Sequence, residues 1–442
     1  MMQLENYLRL YAGQYPDKLA VIASDASLTY ASLWQEVREC AGRLMAQSLC
    51  PGHARLIRAT QDAAFLVDYL ATHLAGGVAV PLERDIPEGR YREIERLLDG
   101  TDIPEKIADI LFTTGTTGQS KGVMISHKAL LADAENLAEA QGFSPDLTFI
   151  ISGPLNHIGS LSKVWPTILT GGTLHILDGL KDLNAFFSIL ETPGRYATFQ
   201  VPAALRLLMS LANDRLAACA DRIDFIETGA APLAQADMEH LCRLLPHSRL
   251  YNTYASTETG IVCTHDYNDG LCQAGCLGRP MKHSRVFITA EGTVACQGET
   301  LMTGYVGSPE MTVSVLRDGT LYTNDRGRLD ADGRLHLAGR TDDLINVGGF
   351  KVSPGEVEEA ALSLPGVHDC ICVGVPHPMT GHQLKLLVVL DKGVPLDKKS
   401  LARQLHAHLE AYKVPLQYEE VEAVRRTFNG KIDRKAYKIN EE

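Results

Sequence analysis

Short apolar segments alternate with longer amphipathic segments through the middle of this 442-residue chain. The predicted strands are Phe149–Ser152, Thr173–Leu177, Asp224–Glu227 and Arg249–Tyr254, and the predicted helices are Ala203–Leu211 and Ala234–Leu245. Such alternation is typical of a mainly parallel sheet covered by helices on both faces. The fold class we predict is therefore α/β. The chain is too long for one compact core, so we expect several domains or subdomains.

The character of the sequence changes twice in its last third. Glycine-rich short strands begin near Gly275 and predict a small β-rich subdomain. Beyond Arg340 the pattern becomes helix, strand, strand, helix, strand: Gly355–Ser363, Asp369–Val375, Leu384–Leu390, Leu401–Tyr412 and Gln417–Val421. We therefore expect a large N-terminal domain of residues 1–340 and a small α+β C-terminal domain of residues 341–442.

Composition excludes several classes of protein. Forty-two basic residues face fifty-four acidic ones, and the net charge of −12 disfavours nucleic acid or an anionic membrane as the main partner. The ten cysteines do not show zinc-site spacing, which favours reduced thiols. Neither a signal peptide nor a membrane-spanning run is visible. We expect a cytoplasmic protein.

The segment LFTTGTTGQSKGVMISH, residues 111–127, predicts an oxyanion site. A short strand pattern, Ile107–Phe112, runs into a loop rich in threonine and glycine. The donors are hydroxyls, backbone N–H groups and one ammonium, supplied by Thr113, Thr114, Gly115, Thr116, Thr117, Gly118 and Lys121. Donors converging on a loop suit a polyphosphate. Ser120 before the lysine and Gly122 after it do not match the mononucleotide P-loop.

Four further segments follow in order along the chain. They are NTYASTETG (252–260), YTNDRGRLDADGRLHLAGRTDD (322–343), INVGGFKVSPGEVE (345–358) and RTFNGKIDRKAY (426–437). Glu258, at a strand end beside hydroxyls, suits a magnesium ligand. Together with the Thr/Gly loop, these segments resemble the adenylate-forming superfamily: acyl- and aryl-CoA synthetases, firefly luciferase and the adenylation domains of peptide synthetases. The resemblance spans nearly the whole chain.

The resemblance implies ATP-dependent activation of a carboxylic acid in two half-reactions. The acid attacks the α-phosphate of Mg-ATP and releases pyrophosphate, and a thiol then attacks the acyl-adenylate. In-line displacement at phosphorus depends on positioning and charge neutralisation. The implied cofactors are ATP, Mg²⁺ and coenzyme A as co-substrate.

The resemblance also implies a role for each matching residue. Thr113 to Lys121 would hold the β- and γ-phosphates, and Glu258 would bind magnesium. The other implied nucleotide contacts are Gly229, Ala230 and Ala231 beside adenine, Asn252 at its amino group, Tyr254 on its ring, Thr257 at the α-phosphate, Asp325 at the ribose hydroxyls, and Arg340 at the ribose or the α-phosphate. Lys431 would be the catalytic lysine that bridges the substrate carboxylate and the α-phosphate. Without the resemblance, Lys431 would be read as a solvated lysine in a basic tail.

Three implied features concern the thiol step and the acyl group. Asp342 would be the hinge of a C-terminal domain that rotates between half-reactions. Gly348, Gly349 and Lys351 would line the thiol channel. His157 in GPLNHIGSL would gate the acyl pocket, although a structural role for this histidine stays equally open. Only about thirty residues separate Val80 from the Thr/Gly loop, so we expect a shortened first subdomain.

Three functions stay open at this point. The first is a free-standing acid:CoA ligase, favoured because no carrier-protein attachment motif follows the last module. The second is a free-standing adenylation enzyme that loads an acyl, aryl or amino acid onto a carrier protein. The third is a catalytically silent nucleotide-binding scaffold, which the presence of Lys431, Glu258 and Asp325 argues against. The sequence leaves the identity of the acid and a homodimer contact open.

Overall fold

The computed structural model describes residues 3–114, 120–270, 272–273, 275–341, 343–347, 350–427 and 432–437. Its first elements are α1 (Leu4–Gln14), β1 (Leu19–Ile22), β2 (Ser27–Thr29), α2 (Tyr30–Ala46), β3 (Ala54–Ala59), α3 (Ala63–Leu74), β4 (Val78–Glu83) and α4 (Glu88–Asp99). No helix in these ranges combines the length and the apolar character needed to cross a membrane.

The central part of the chain alternates strands and helices. Its elements are β5 (Ile107–Thr114), β6 (Ser120–Ser126), α5 (His127–Gln141), β7 (Leu147–Ile151), α6 (Ile158–Leu161), α7 (Val164–Thr170), β8 (Thr173–Ile176), α8 (Leu183–Leu190), β9 (Arg195–Phe199), α9 (Pro202–Ala218), β10 (Ile223–Thr228), α10 (Gln235–Leu244), β11 (Arg249–Ser256) and β12 (Gly260–Asp266). Strands β8, β7, β9, β10 and β11 pair in parallel. The predicted α/β class is confirmed.

Hairpins follow the parallel strands and extend the same sheet. They are β13 (Cys276–Pro280), β14 (Ser284–Ile288), β15 (Thr293–Gly298), β17 (Leu316–Arg317), β18 (Thr320–Leu329) and β19 (Leu335–Arg340). Between β15 and β17 the chain also forms β16 (Gly304–Tyr305), which belongs to another sheet, and α11 (Pro309–Val315). The strand order is β14-β15-β18-β19-β13-β12-β11-β10-β9-β7-β8-β1-β2, with β17 beside β18. The β-rich region after Gly275 thus continues the central sheet through the antiparallel pair β12–β13.

Two smaller sheets complete the fold. The second has the order β16-β6-β5-β4-β3 and is covered by α3 and α4. The third is built from β20 (Ile345–Val347), β21 (Phe350–Val352), α12 (Pro354–Leu362), β22 (Val367–His377), β23 (Gly381–Leu390), α13 (Lys398–Leu405) and β24 (Gln417–Glu420), and it has its own apolar core. This small α+β unit agrees with the expected C-terminal domain, while the boundary at residue 340 stays a prediction.

Two predicted helices have different ends in the structure. The segment Leu401–Tyr412 is not one helix: α13 ends at Leu405, and a 3-10 turn covers Ala411–Lys413. Glu410, with φ −64° and ψ 150°, is extended, so the apolar spacing continues across a break in the helix. Helix α9 continues past Leu211 to Ala218 with a kink at Ala212.

A buried polar network ties the first helix to strand β5. The His73 ring lies between two carboxylates, with Nδ1 3.0 Å from Glu5 and Nε2 2.9 Å from Asp109. Tyr69 donates to the other Asp109 oxygen at 2.9 Å. Burial opposes a charge on His73, but Asp109 and Glu5 outweigh it and raise the pKa of His73 to about 10. The network therefore holds an imidazolium at neutral pH.

Candidate nucleotide and acyl site

Strands β5 and β6 form an antiparallel hairpin at the Thr/Gly segment. Thr113 and Lys121 are cross-strand partners in it. Ser126 caps the helix that follows, since its hydroxyl accepts a hydrogen bond from the Ala129 N–H at 3.1 Å. Gly115, Thr116, Thr117 and Gly118 lie outside the described residues, as does the side chain of Thr114. Their phosphate contacts stay predictions.

Tyr305 joins Lys121 to Glu258. The short strand β16 pairs with β6, so that Tyr305 lies opposite Val123. The Lys121 ammonium lies 5.2 Å from the Tyr305 ring centroid, and the Tyr305 hydroxyl donates to Glu258 Oε1 at 3.0 Å. Burial and the nearby carboxylate raise the pKa of Tyr305, which keeps its hydroxyl protonated as a donor. The structure thus brings the predicted phosphate-binding cation and the predicted magnesium ligand into one group.

The residues around Glu258 fit a magnesium ion. Glu258 is half-buried in the turn between β11 and β12, beside the half-buried Thr257. Tyr305 fixes one of its carboxylate oxygens, and carboxylate oxygens are the donors that Mg²⁺ prefers. Since Mg²⁺ usually keeps several waters and binds through one or two carboxylates plus phosphate oxygens, one oriented glutamate is a sufficient protein contribution.

Asp325 contacts two other predicted nucleotide-binding residues, Tyr254 and Arg340. It pairs across β18 and β19 with Arg340, whose Nη1 donates to Oδ1 at 3.1 Å. The Tyr254 hydroxyl donates to Oδ2 at 2.7 Å. Burial and the charge of Asp325 raise the pKa of Tyr254. A carboxylate held on both oxygens is well placed to accept hydrogen bonds from vicinal hydroxyls.

The turn after β10 lies at the carboxyl edge of the parallel strands, where α/β sheets bind ligands. A Cβ at Gly229 would lie 3.1 Å from the Thr253 carbonyl oxygen, so this position favours glycine. Ala230 has φ +69°, a left-handed conformation that is strained for alanine. Ala230 is exposed and Ala231 half-buried. Asn252, on the neighbouring strand, donates to the Cys276 carbonyl at 3.3 Å.

The predicted acyl wall surrounds Phe199. His157 is the residue before α6, and its side chain is half-buried. A Cβ at Gly159 would lie 2.9 Å from Phe199 Cε1, and one at Gly229 would lie 3.6 Å from Phe199 Cε2. The two glycines therefore flank the edges of one aromatic ring.

The residues predicted for the thiol step are less fully described. Lys431, Asp342, Gly348 and Gly349 lie outside the described residues. Lys351 is exposed on β21, and among the described residues it makes no hydrogen bond or ion pair with either group above.

Two ion pairs anchor the chain on either side of residues 428–431. Arg426 binds both carboxylate oxygens of Asp369, at 2.9 and 2.7 Å. Arg434 binds both oxygens of the buried Glu358, at 2.8 and 2.6 Å. These arginines are therefore structural anchors and not a solvated basic tail. Sequence reasoning missed both pairs, and it also missed Tyr305, whose only signal is an aromatic residue after the glycine of TGYVG.

Comparison with known proteins bears on the family to which the chain belongs. The sequence profile of the AMP-binding enzyme family matches residues 8–100 and 97–306, and that of the AMP-binding enzyme C-terminal domain matches residues 356–431. A feruloyl-CoA synthase from Amycolatopsis sp is 28% identical over 470 residues, with 94% of each chain covered. ATP-bound MatB from Rhodopseudomonas palustris superposes with a TM-score of 0.86 at 26% identity, covering 99% of this chain and 98% of that one.

A third relative supports the ligase class. The 3-[(3aS,4S,7aS)-7a-methyl-1,5-dioxo-octahydro-1H-inden-4-yl]propanoyl:CoA ligase of Rhodococcus jostii is 26% identical, with 96% of each chain covered. The large N-terminal and small C-terminal units also match those of solved adenylate-forming enzymes. The chain therefore belongs to the AMP-binding enzyme family and is an AMP-forming acid–thiol ligase.

Proposed function

We propose that the chain is an acid:CoA ligase. A carboxylate oxygen of the acid attacks the α-phosphorus of ATP, the bond to the pyrophosphate oxygen breaks, and an acyl-adenylate forms. The sulfur of coenzyme A then attacks the acyl carbon, the bond to the AMP oxygen breaks, and the thiol proton passes to solvent. Two of the relatives compared above are CoA ligases by name, which supports coenzyme A as the acceptor.

The Tyr305 contact between Lys121 and Glu258 is the observation that carries the proposal. A triphosphate needs a cation at its β- and γ-phosphates, and a bound Mg²⁺ would neutralise charge beside them. Lys121 supplies the cation, and Glu258 supplies the carboxylate that would hold the metal. A protein that only bound AMP would have no use for this pair.

The resemblance assigns roles to the other predicted residues. Asp325, held by Tyr254 and Arg340, would accept hydrogen bonds from the ribose hydroxyls. Thr257 would contact the α-phosphate. Lys431 would bring the acid and the α-phosphate together, which a point charge does well because both groups are negative.

The test is pyrophosphate release from Mg-ATP across a panel of acids, with and without coenzyme A. The panel covers short and long fatty acids, benzoic, cinnamic and o-succinylbenzoic acids, and amino acids. Acid-dependent release that coenzyme A stimulates, with thioester as product, is the expected result. Hydroxylamine trapping of the adenylate, combined with thioester formation on a carrier protein but not on coenzyme A, would instead establish the carrier-loading alternative. Absence of release with every acid and both acceptors would support the silent scaffold.

A further inference from the structure

A buried ion pair lies behind the Phe199 ring and has no part in the nucleotide chemistry. Lys163, the residue before α7, places its ammonium 2.8 Å from Glu227 Oε1 on β10. Each side chain is about 1% exposed, and the ammonium lies 5.2 Å from the Phe199 ring centroid. Burying two charges is costly, so a pair of this kind beside the predicted acyl wall invites a functional explanation.

Strand geometry places Glu227 on the same face of the central sheet as Phe199 and Gly229. Successive side chains of a strand alternate in direction, so Glu227 and Gly229 belong to the same face of β10. Glu227 is level with Phe199 on β9 and with Tyr251 on β11. It therefore lies one step deeper than Gly229, next to the ring that the two glycines flank. An acyl group entering along Phe199 would meet Glu227 at its far end.

Only one of the two carboxylate oxygens of Glu227 accepts a hydrogen bond among the described residues. Oε1 is taken by Lys163, whereas Oε2 is buried and has no hydrogen-bond partner among the residues that the structure describes. Buried carboxylate oxygens in proteins are nearly always bonded, and an exception calls for an explanation. A hydrogen-bond donor on the substrate would explain why Oε2 has no partner in the protein alone.

Asp133 is the other acid that acts on Lys163. Its Oδ1 accepts the Ile261 N–H at 2.7 Å, and its Oδ2 is buried without a partner among the described residues. Burial raises the pKa of Asp133 well above its ordinary range, against the opposing effects of the Ile261 N–H and the Lys163 charge. The Lys163 ammonium itself contacts Glu227, at 2.8 Å, and is the counter-ion of that carboxylate.

We propose that Glu227 Oε2 accepts a hydrogen bond from a hydroxyl or amino group at the end of the acyl substrate distal to its carboxyl group. The substrate class is then a planar, donor-bearing acid such as a 4-hydroxyaryl or 4-aminoaryl acid. The planar part packs on Phe199 between Gly159 and Gly229. A second carboxylate at the distal end is disfavoured, because Lys163 is already paired and Glu227 would repel it. This inference rests on the proposed function and names the substrate class of its acyl site.

The experiment compares kcat/KM for 4-hydroxycinnamic acid, cinnamic acid and 4-carboxycinnamic acid in the pyrophosphate assay. A site built to bond a substrate hydroxyl rejects the analogue that lacks it by several orders of magnitude at best, and we expect a preference on the order of 10² or more for the hydroxy acid. The double variant Lys163→Met/Glu227→Leu replaces the pair by apolar side chains and should reduce the preference to about tenfold or less. Arg206→Met/Asp237→Leu, which removes a pair of 2.7 Å between α9 and α10, is the matched control and should leave the preference unchanged.

A thermal unfolding curve establishes that each variant is folded. Should the double variant not fold, Glu227→Gln serves in its place, because its amide donates where the carboxylate accepts and should lower kcat/KM for the hydroxy acid more than for cinnamic acid. Equal kcat/KM for hydroxy and unsubstituted acids in the wild type, or an unchanged preference in the variants, overturns the inference while leaving the ligase intact. Failure of the wild type to activate any acid overturns the proposed function itself.

Discussion

Tyr305, the last residue of the two-residue strand β16, donates a hydrogen bond of 3.0 Å to Glu258. The same ring faces the ammonium of Lys121 at 5.2 Å. Tyr305 also pairs with Val123 of β6. A shift of the β5–β6 hairpin would therefore be passed through Tyr305 to Glu258. One phenol thus sets the separation between the two groups proposed to hold Mg-ATP.

Replacing Tyr305 by Phe should weaken magnesium use without unfolding the protein. The ring and its contact with Lys121 remain, but Glu258 loses the donor that orients it, and a hydrogen bond to a charged group contributes about 1.5–3 kcal/mol. We expect a rise of about tenfold or more in the Mg²⁺ concentration needed for half-maximal pyrophosphate release. The control is Tyr91→Phe, which removes the hydroxyl of a tyrosine on α4 whose ring packs against Arg58 of β3. An unchanged magnesium requirement would contradict the proposed role of Tyr305.

Replacing Asp325 by Asn should raise the KM for ATP. The new amide retains the shape of the carboxylate, but its NH₂ group would face either the Tyr254 hydroxyl or the Arg340 guanidinium, both of which are donors. We expect an increase of about tenfold or more, from the loss of a charge-assisted hydrogen bond. Steady-state kinetics with varied ATP measure it, and Asp332→Asn in an exposed turn is the control. A KM equal to that of the control would argue against ribose binding by Asp325.

Replacing Lys431 by Ala should remove adenylation selectively. Loss of one transition-state contact typically costs about 2.7–4 kcal/mol, a factor of 10² to 10³ in rate. We expect a loss of this size in hydroxamate formation, with thioester formation from supplied acyl-adenylate largely retained. Lys392→Ala, at an exposed lysine of the same small domain, controls for the loss of a charge. Equal loss in both half-reactions would refute the assignment of Lys431.

Replacing Arg434 by Met should destabilise the small α+β unit that contains the third sheet. Glu358 is buried, and removal of its bidentate partner leaves an unpaired carboxylate, at a cost of about 3–5 kcal/mol. The double variant Arg434→Met/Glu358→Leu should recover much of that loss, because no buried charge remains. Thermal unfolding of the single variant, the double variant and the exposed control Arg403→Met measures the difference. A single variant as stable as the control would show that the pair contributes little.

His73 should make stability decline in the alkaline range. Its folded-state pKa of about 10 lies above the ordinary value of 6.5, so its contribution is complete below pH 6.5 and is lost as the pH rises towards 10. The pKa of Glu5 is lowered by His73 although burial opposes this, so the Glu5 contribution is lost in acid. His73→Gln should be less stable at pH 7 and should show a flatter decline above it. Denaturant unfolding at several pH values measures this, with exposed His247→Gln as the control.

The sequence predicted local features better than distant contacts. The predicted strand Thr173–Leu177 and the predicted helix Ala234–Leu245 agree with β8 and α10 to within one residue at each end, because both depend on neighbouring residues. Tyr305 and Glu258 are 47 positions apart, and nothing in the periodicity of a two-residue strand signals their contact. The Lys163–Glu227 pair was also missed, since both residues read as ordinary surface charges until the sheet buries them.

The His73 network also bears on how the protein is prepared. Glu5 belongs to the first helix, while Asp109 belongs to the strand that leads into the phosphate hairpin. Trimming the first helix would leave the His73 charge with one carboxylate instead of two, beneath that strand. We expect a preparation that lacks the first helix to be less stable, for a reason far from the nucleotide. A negative assay on such material would report on the helix and not on the enzyme.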